Sequence, residues 1–237
     1  MKAFSGGFIR LSLVLILLGW AQSLHADTVY NIVTGFSHTT NPNGVWTYDY
    51  NGTAYSNSQG YSNDQGTGLP GWWTGAAIPN SIIINQNITG QTVNYITISD
   101  PTNTLWMDPE SGTVSVVFTA PSAGTYTVTG DFLGIDMTGN LHPVEILDNG
   151  NVIWSNTITV GVDDSFNFQE TLNSGDTISF YVGSPGTTRP CSYCFLGTGL
   201  DGTITGGQVP EPGTLPMLGV GLLALIPLVR SKRFTQS

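Results

Sequence analysis

The 237-residue chain carries six basic and 16 acidic side chains, a formal net charge of −10 at neutral pH. Five of the bases lie near the two ends, so residues 27–209 hold 15 acids and a single base, Arg189, for a net charge of −14. Such a surface repels nucleic-acid phosphates and anionic headgroups and excludes nucleic-acid binding, whereas it attracts cations, including Ca²⁺.

The N-terminus has the three-part pattern of a secretory signal peptide. Lys2 and Arg10 give a basic start, Leu11–Leu18 an apolar run, and Ser23–Ala26 a small residue at a cleavage point. The apolar run is too short for a comfortable membrane span. We therefore predict a signal helix, cleaved as a signal peptide of residues 1–26; an uncleaved anchor is the alternative.

The middle of the chain is predicted to be one domain, residues 27–207. It is rich in Gly, Asn, Thr and Ser, and its apolar residues alternate with polar ones rather than following a helical period. This pattern predicts an all-β fold, a single jelly-roll-like β-sandwich. Strands are predicted at Val45–Tyr50, Ile82–Ile84, Tyr95–Ile98, Thr113–Thr119, Thr125–Thr129, Val144–Leu147, Val152–Trp154, Phe166–Phe168, Ile178–Val182 and Leu200–Ile204.

Turn signals punctuate these strands. Asn149–Gly150 accepts the positive φ angles of a tight hairpin turn. Residues 51–71 break the alternation and are interpreted as a long loop or a ragged hairpin. Gly197–Gly202 has the spacing of a dinucleotide-binding loop but no following helix, so a turn entering the last strand is predicted instead. Three tryptophans in alternating patterns are predicted to be core, namely Trp46, Trp106 and Trp154.

Four aromatic residues are candidates for stacking on sugar rings. Trp72 and Trp73 are adjacent, so in a strand one fills the core while the other faces out. Tyr55 and Tyr61 lie in the polar segment beside them. The alternative is that all four are core or loop-packing residues, as large aromatics usually are.

Four acids are candidate calcium ligands. These are Asp163 and the adjacent Asp164, together with Asp136 and Glu145. The spacing of an EF-hand is missing, and solvated turn carboxylates are the competing interpretation.

Catalysis has little support. The chain has neither a nucleophile elbow nor a zinc-protease motif, and its middle part contains only His38 and His142 as histidines. Paired carboxylates could hydrolyse glycosides, but among 15 acids some pair is always available. We therefore predict no enzymatic activity and no cofactor other than the calcium considered above.

The two cysteines form the short motif Cys191-Ser-Tyr-Cys194. An exported protein meets an oxidising compartment, which favours a small disulfide loop. Free thiols and a redox role are the alternatives, while a zinc site would need two further ligands nearby.

The C-terminus has a pattern of its own. Val209–Gly213 contains Pro-Glu-Pro, Thr214–Val229 has no charge, and residues 230–233 are mostly basic. Sixteen helical residues span about 24 Å, short for a bilayer core of about 30 Å, and the basic end predicts that it stays in the cytoplasm. A short transmembrane helix with the preceding domain outside is therefore expected; a plain stop-transfer anchor would leave Pro-Glu-Pro unexplained.

The tail resembles the PEP-CTERM sorting signal, which is also labelled an ice-binding protein C-terminal domain. The resemblance covers residues 209–233, within a predicted sorting segment of residues 208–237. It implies recognition of Pro210, Glu211 and Pro212 by an exosortase in the inner membrane of Gram-negative bacteria. The ice-binding label belongs to the tail and says nothing about the domain before it.

Short segments of the middle domain resemble a carbohydrate-binding-module-type jelly roll. Thr119–Val128 and Leu172–Phe180 carry the resemblance, and Asn41–Tyr48 is similar to the opening of many PEP-CTERM ectodomains. They imply fold geometry rather than a binding site.

Together these features predict an exported protein, anchored in the inner membrane before processing and then found at the cell surface or in an exopolysaccharide matrix. The expected role is non-catalytic glycan binding. The alternatives are a purely structural acidic matrix protein that bridges cations, or a glycan-acting hydrolase.

Overall fold

A computed structural model of the chain describes residues 27–63, 67–75, 82–110, 112–138, 141–183 and 196–207. The predicted signal peptide, both cysteines and the sorting tail lie outside the described residues. Residues Asp27–Gln208 form one compact unit. Within the described ranges, no helix is long and apolar enough to span a bilayer.

The described residues fold into antiparallel β-strands and one 3₁₀ turn, Asn57–Gln59. In chain order the strands are β1 Thr28–Asn31, β2 Trp46–Tyr50, β3 Thr53–Ala54, β4 Gly60–Tyr61, β5 Gly71–Trp73, β6 Ile83–Asn87, β7 Val93–Tyr95, β8 Ile98–Asp100, β9 Thr104–Asp108, β10 Val114–Thr119, β11 Gly124–Gly134, β12 His142–Asp148, β13 Asn151–Ile158, β14 Asp163–Leu172, β15 Thr177–Val182 and β16 Thr198–Gly206.

The strands form two large sheets and one small one. The eight-stranded sheet has the order β14-β11-β16-β9-β6-β5-β4, and β1 pairs with the part of β16 that follows its pairing with β9. The six-stranded sheet has the order β13-β12-β15-β10-β2-β3, and β7 and β8 form a separate hairpin. The predicted all-β, jelly-roll-like sandwich is therefore confirmed.

The core lies between the two large sheets, because every second residue of each strand points inward. On β10 the inward residues are Val114, Val116 and Phe118, all buried. Aromatic pairs join the sheets, with ring centroids 6.2 Å apart for Tyr48 and Trp72, 5.6 Å for Phe118 and Tyr126, and 5.7 Å for Phe166 and Phe180. Such pairs add about 0.5–1.5 kcal/mol each beyond the burial of their area.

The predicted hairpin turn is confirmed. Asn149 and Gly150 have φ angles of 47° and 82°, and they join β12 to β13. The Asn149 side chain also accepts a hydrogen bond from the amide of Thr177, 3.0 Å away, which ties the turn to β15.

The strand predicted at Tyr95–Ile98 is wrong. The chain turns within it, at Ile96, whose φ is 53°, and the two arms become β7 and β8. The amide of Ser99 donates to the carbonyl of Ile135, 2.9 Å away, and the amide of Met137 to that of Thr97, 2.7 Å away. These tertiary bonds hold the hairpin against the eight-stranded sheet and override the local apolar run.

Two further predictions change in detail. The described part of residues 51–71 is a ragged segment: β3 pairs in the six-stranded sheet, whereas β4 pairs with β5 in the eight-stranded sheet. Most of Gly197–Gly202 lies inside β16 rather than in a turn. Trp46 and Trp106 are buried as predicted, and Trp154 is half-buried with its ring stacked on Phe132, 5.7 Å away.

Candidate functional site

Two rows of side chains meet on the outer face of the eight-stranded sheet. Trp73, Ile83 and Asp108 lie opposite one another on β5, β6 and β9. Directly opposed residues in an antiparallel sheet share a face. In the adjoining row of the same face, Tyr61 and Asn85 lie on β4 and β6, the two strands that flank β5. We call Tyr61, Trp73, Asn85 and Asp108 the Trp73 patch.

The two adjacent tryptophans point to opposite faces, as the strand period requires. Trp72 is 0% exposed, and its indole N–H donates to the carbonyl of Ser37, 2.7 Å away. Trp73 is 39% exposed. Of the two tryptophans, Trp73 is therefore the one that offers an aromatic face to a ligand.

Tyr55 is also a core residue rather than a surface one. Its ring stacks on Trp72 with centroids 6.1 Å apart, and its hydroxyl donates to the carbonyl of Ile82, 3.0 Å away. Burial raises the pKa of Tyr55 well above its ordinary value. Two of the four residues predicted to stack on sugars, Trp72 and Tyr55, thus build the floor beneath the patch.

Tyr61 and Trp73 form the aromatic corner of the patch. Their ring centroids lie 6.2 Å apart with the planes almost perpendicular, at 85°. The Tyr61 hydroxyl donates to Oδ1 of Asn85, which fixes the orientation of that amide. A side chain at Gly71, between them, would collide with the Asn85 side chain and the backbone of Ile84.

Asn85 contributes a donor that has no partner in the described part of the chain. Its side chain is 0% exposed, and Nδ2 makes no hydrogen bond. Buried polar groups are almost always hydrogen-bonded, and an unsatisfied one costs about 1–3 kcal/mol. A partner for this donor would therefore have to come from outside the described residues, as a water molecule or a ligand.

Asp108 gives the patch a carboxyl group that changes charge near neutrality. Burial raises its pKa to about 7, and the negative charges of Glu110 and Asp136 act in the same direction. Its Oδ1 accepts the amide of Glu110, 3.2 Å away, which partly opposes the shift. Near neutral pH this group can therefore both donate and accept hydrogen bonds.

A small second core borders the patch. Ile98 of the β7–β8 hairpin is buried together with Trp106 and Ile135, and Ile83 packs against this cluster. Nε1 of Trp106 is buried and makes no hydrogen bond among the described residues. This cluster fixes one side of the patch, because the hairpin is bonded to the end of β11.

The four predicted calcium ligands do not converge. Asp136 is buried, and its Oδ1 accepts the amide of Thr138, 3.1 Å away. Asp163 and Asp164 open β14 in the eight-stranded sheet, and Asp164 accepts a hydrogen bond from Asn156, whereas Glu145 lies on the outer face of the six-stranded sheet. In the ranges that the structure covers, no three Asp, Glu, His or Cys side chains form a group able to hold a metal ion.

Asn85 and Asp108 were not foreseen from the sequence. The available signal was weak: Asp108 lies two residues after Trp106, hence on the same face of one strand. Nothing local indicates that this face lies beside Trp73, since β6 intervenes and is paired through non-local contacts.

Residues 208–233 match the PEP-CTERM protein-sorting motif, so the sorting signal predicted around Pro210–Pro212 is confirmed. The motif indicates export and sorting to the cell surface. No curated protein gives a significant sequence match.

The described sandwich is similar in fold to solved carbohydrate-binding modules. A family 35 module from Clostridium thermocellum is 16% identical over 44% of this chain and 78% of its own, with a TM-score of 0.29. A CBM35 from Paenibacillus barcinonensis is 12% identical over 76% of this chain and 99% of its own, with a TM-score of 0.30. A CBM51 from Clostridium perfringens GH95, solved with methyl-galactose, is 12% identical over 51% of this chain and 80% of its own, also with a TM-score of 0.30. Values this low indicate nothing about a ligand.

Proposed function

We propose that this protein is a non-catalytic, glycan-binding component of the cell surface or of an exopolysaccharide matrix, delivered there by its sorting tail. The Trp73 patch binds the glycan. The observation that carries the proposal is the exposed ring of Trp73 beside an unsatisfied buried amide donor on Asn85.

The chemistry of the patch fits a sugar. The apolar face of a pyranose ring packs on an indole, and its hydroxyls both donate and accept. Asn85 Nδ2 would donate to a sugar oxygen, and Asp108 would accept from a hydroxyl when ionised or donate when protonated. A purely apolar ligand would leave the Asn85 donor unsatisfied, which disfavours such a ligand.

The charge of the domain narrows the class of glycan. The described residues contain no Lys or Arg, and residues 27–209 have a net charge of −14. A uronic-acid or sulfated polymer would be repelled over the whole surface. The proposed ligand is therefore a neutral or amino-sugar polysaccharide.

The two neighbouring tryptophans provide a matched test. Affinity electrophoresis through gels containing a galactomannan, a xyloglucan, a dextran or a soluble chitosan would identify a polymer that retards the protein. Trp73→Ala should weaken that binding at least about tenfold, a loss of about 1.4 kcal/mol, with little change in stability. Trp72→Ala should instead lower the free energy of unfolding by about 3–5 kcal/mol, because it removes a fully buried ring.

Two results would contradict glycan binding at this patch. The first is a wild-type protein that none of the four polymers retards. The second is a Trp73→Ala protein that is retarded as strongly as the wild type. A uronate polymer such as alginate serves as the negative control and should not retard the protein at low ionic strength.

For delivery, we propose that the tail holds the protein in the inner membrane until an exosortase-type protease processes it. Intact-mass measurement on exported protein from the host should give a start at Asp27 and loss of the tail. A variant with Glu211→Ala should keep its tail and remain with the membrane fraction. A tail that is retained equally in both proteins would mean that the segment is only an anchor.

A further inference from the structure

The outer face of the six-stranded sheet carries its own row of polar side chains around one tyrosine. Asp49, Ser115, Tyr181 and Glu145 lie opposite one another on β2, β10, β15 and β12. Opposed residues share a face of the sheet. The residues directly before and after them in each strand point the other way and fill the core, so these four lie on the outer face. We call these four residues the Tyr181 row. At about 4.8 Å per strand it extends about 14 Å across the sheet.

One end of the row contains two oxygen atoms without partners among the described residues. Ser115 is 1% exposed, and its Oγ makes no hydrogen bond among the described residues. Oδ1 of Asp49, its direct neighbour in register, is likewise buried without a partner. Burial also raises the pKa of Asp49. Two adjacent unsatisfied groups are hard to explain as packing, since either could be replaced by an apolar residue of similar size.

The surroundings of these oxygens combine polar and apolar contact surface. Tyr181 lies beside Ser115 and is half-buried, so part of this residue is accessible. The adjoining row contributes Val117 and the buried Leu147, on β10 and β12. Glu145 ends the Tyr181 row with a second half-buried carboxylate. An aromatic ring, aliphatic contact surface and oxygen acceptors are the groups that a polyhydroxylated ring requires.

We propose that the Tyr181 row is a second glycan-binding surface, so that one domain cross-links two glycan chains. The inference rests on the proposed function for its class of ligand, a neutral or amino-sugar polysaccharide. Asp49 and Glu145 accept hydrogen bonds from sugar hydroxyls, the Ser115 hydroxyl donates to a sugar oxygen, and Tyr181 packs on the ring.

The two surfaces face away from each other. The Trp73 patch lies on the outer side of the eight-stranded sheet and the Tyr181 row on the outer side of the six-stranded sheet, with the core between them. Packed sheets are separated by about 10 Å, so a chain bound on one face leaves the other face open. With two sites, one molecule can bridge two polymer chains. When both sites bind the same polymer chain, the apparent affinity for that chain also rises.

Single and double variants of the full-length chain distinguish one site from two. The probe is whichever of the galactomannan, xyloglucan, dextran or chitosan retards the wild-type protein. Affinity electrophoresis reports binding, and turbidity of protein mixed with the same polymer reports cross-linking. Tyr181→Ala removes the ring, Tyr181→Phe retains it as a matched control, and Ser115→Ala removes the hydroxyl without adding bulk. Thermal unfolding of each variant verifies that the sandwich is intact.

The proposal expects Tyr181→Ala to bind with roughly tenfold weaker apparent affinity and to lose turbidity, while Tyr181→Phe retains both. Trp73→Ala alone should keep residual retardation, which the double variant Trp73→Ala/Tyr181→Ala abolishes. Complete loss of binding in Trp73→Ala alone, or wild-type turbidity in both Tyr181→Ala and Ser115→Ala, would overturn the second site and leave the first intact. A wild-type protein retarded by no polymer would overturn the proposed function and this inference together.

Discussion

Replacing Asp108 with asparagine tests the electrostatics of the candidate site without altering its shape. Burial holds the pKa of Asp108 at about 7, against an ordinary value of 3.8. The folded protein therefore binds this proton more tightly than the unfolded chain does. As the pH rises from 3.8 to about 7, the unfolded chain loses the proton first, so the free energy of unfolding falls across that window and levels off above it.

The size of the effect follows from the difference between these two values. Each tenfold change in proton affinity corresponds to 1.36 kcal/mol, so Asp108 can remove about 4 kcal/mol of stability between pH 3.8 and pH 7. Asparagine resembles the neutral carboxyl group and keeps an oxygen to accept the amide of Glu110. Asp108→Asn should therefore match the wild type near pH 3.5 and be more stable by up to about 4 kcal/mol at pH 7.5.

Urea unfolding monitored by tryptophan fluorescence, repeated from pH 3.5 to pH 8, measures this difference. Asp163→Asn, at an exposed position, controls for the loss of one negative charge. Burial also raises the pKa of Asp100 to about 7. The free energy of unfolding of Asp108→Asn should therefore still fall as the pH rises, and the double variant Asp100→Asn/Asp108→Asn should show a smaller fall. Parallel pH profiles for wild type and Asp108→Asn would refute the reasoning, as would a variant that is less stable at pH 7.5.

Three further predictions concern packing. Gly71→Ala should lower the free energy of unfolding by about 1–3 kcal/mol and weaken glycan binding, because the added carbon collides with the backbone of Ile84 and the Asn85 side chain. Urea unfolding measures the first effect and affinity electrophoresis the second. A variant with unchanged stability and binding would contradict the tight fit. Asn87→Asp should lower the free energy of unfolding by more than about 3 kcal/mol at neutral pH, because the side-chain amide that donates to three backbone carbonyls is replaced by a buried acceptor. Thermal unfolding should show a larger loss of stability for this variant than for Asn51→Asp, which serves as the comparison. Phe180→Ala should lower the free energy of unfolding by about 3–5 kcal/mol at both pH 4 and pH 7.5, because it removes a fully buried ring. A loss that differs between the two pH values would indicate that the substitution also perturbs the buried carboxyl groups.

The sequence by itself determined the fold class and the C-terminal sorting signal. Alternation with a period of two is a local property, so strands such as β10 and β15 are visible as Thr113–Thr119 and Ile178–Val182 within a residue of their observed bounds. The Asn149–Gly150 turn and the Pro-Glu-Pro tail are equally local. The same period correctly predicts that the side chains of Trp72 and Trp73 point to opposite faces of the sheet.

Local patterns failed where distant contacts decided the conformation. The apolar run Tyr95–Ile98 becomes a hairpin because Ser99 and Thr97 bond to Ile135 and Met137, which directly follow β11 and are distant in the sequence. Tyr55 has the polar sequence neighbours of a surface residue, yet it is buried against Trp72. No local feature distinguishes it from Tyr61.

The candidate sites are a product of strand order. Trp73 and Asp108 lie on one face only because β6 pairs with both β5 and β9, and Asp49 neighbours Ser115 only because β2 pairs with β10. Period two indicates which residues of one strand share a face, but not which strand lies beside it, since pairing depends on burying the whole core at once. The sequence therefore determined that this chain is an exported β-sandwich, and the tertiary structure decided which side chains meet on its two outer faces.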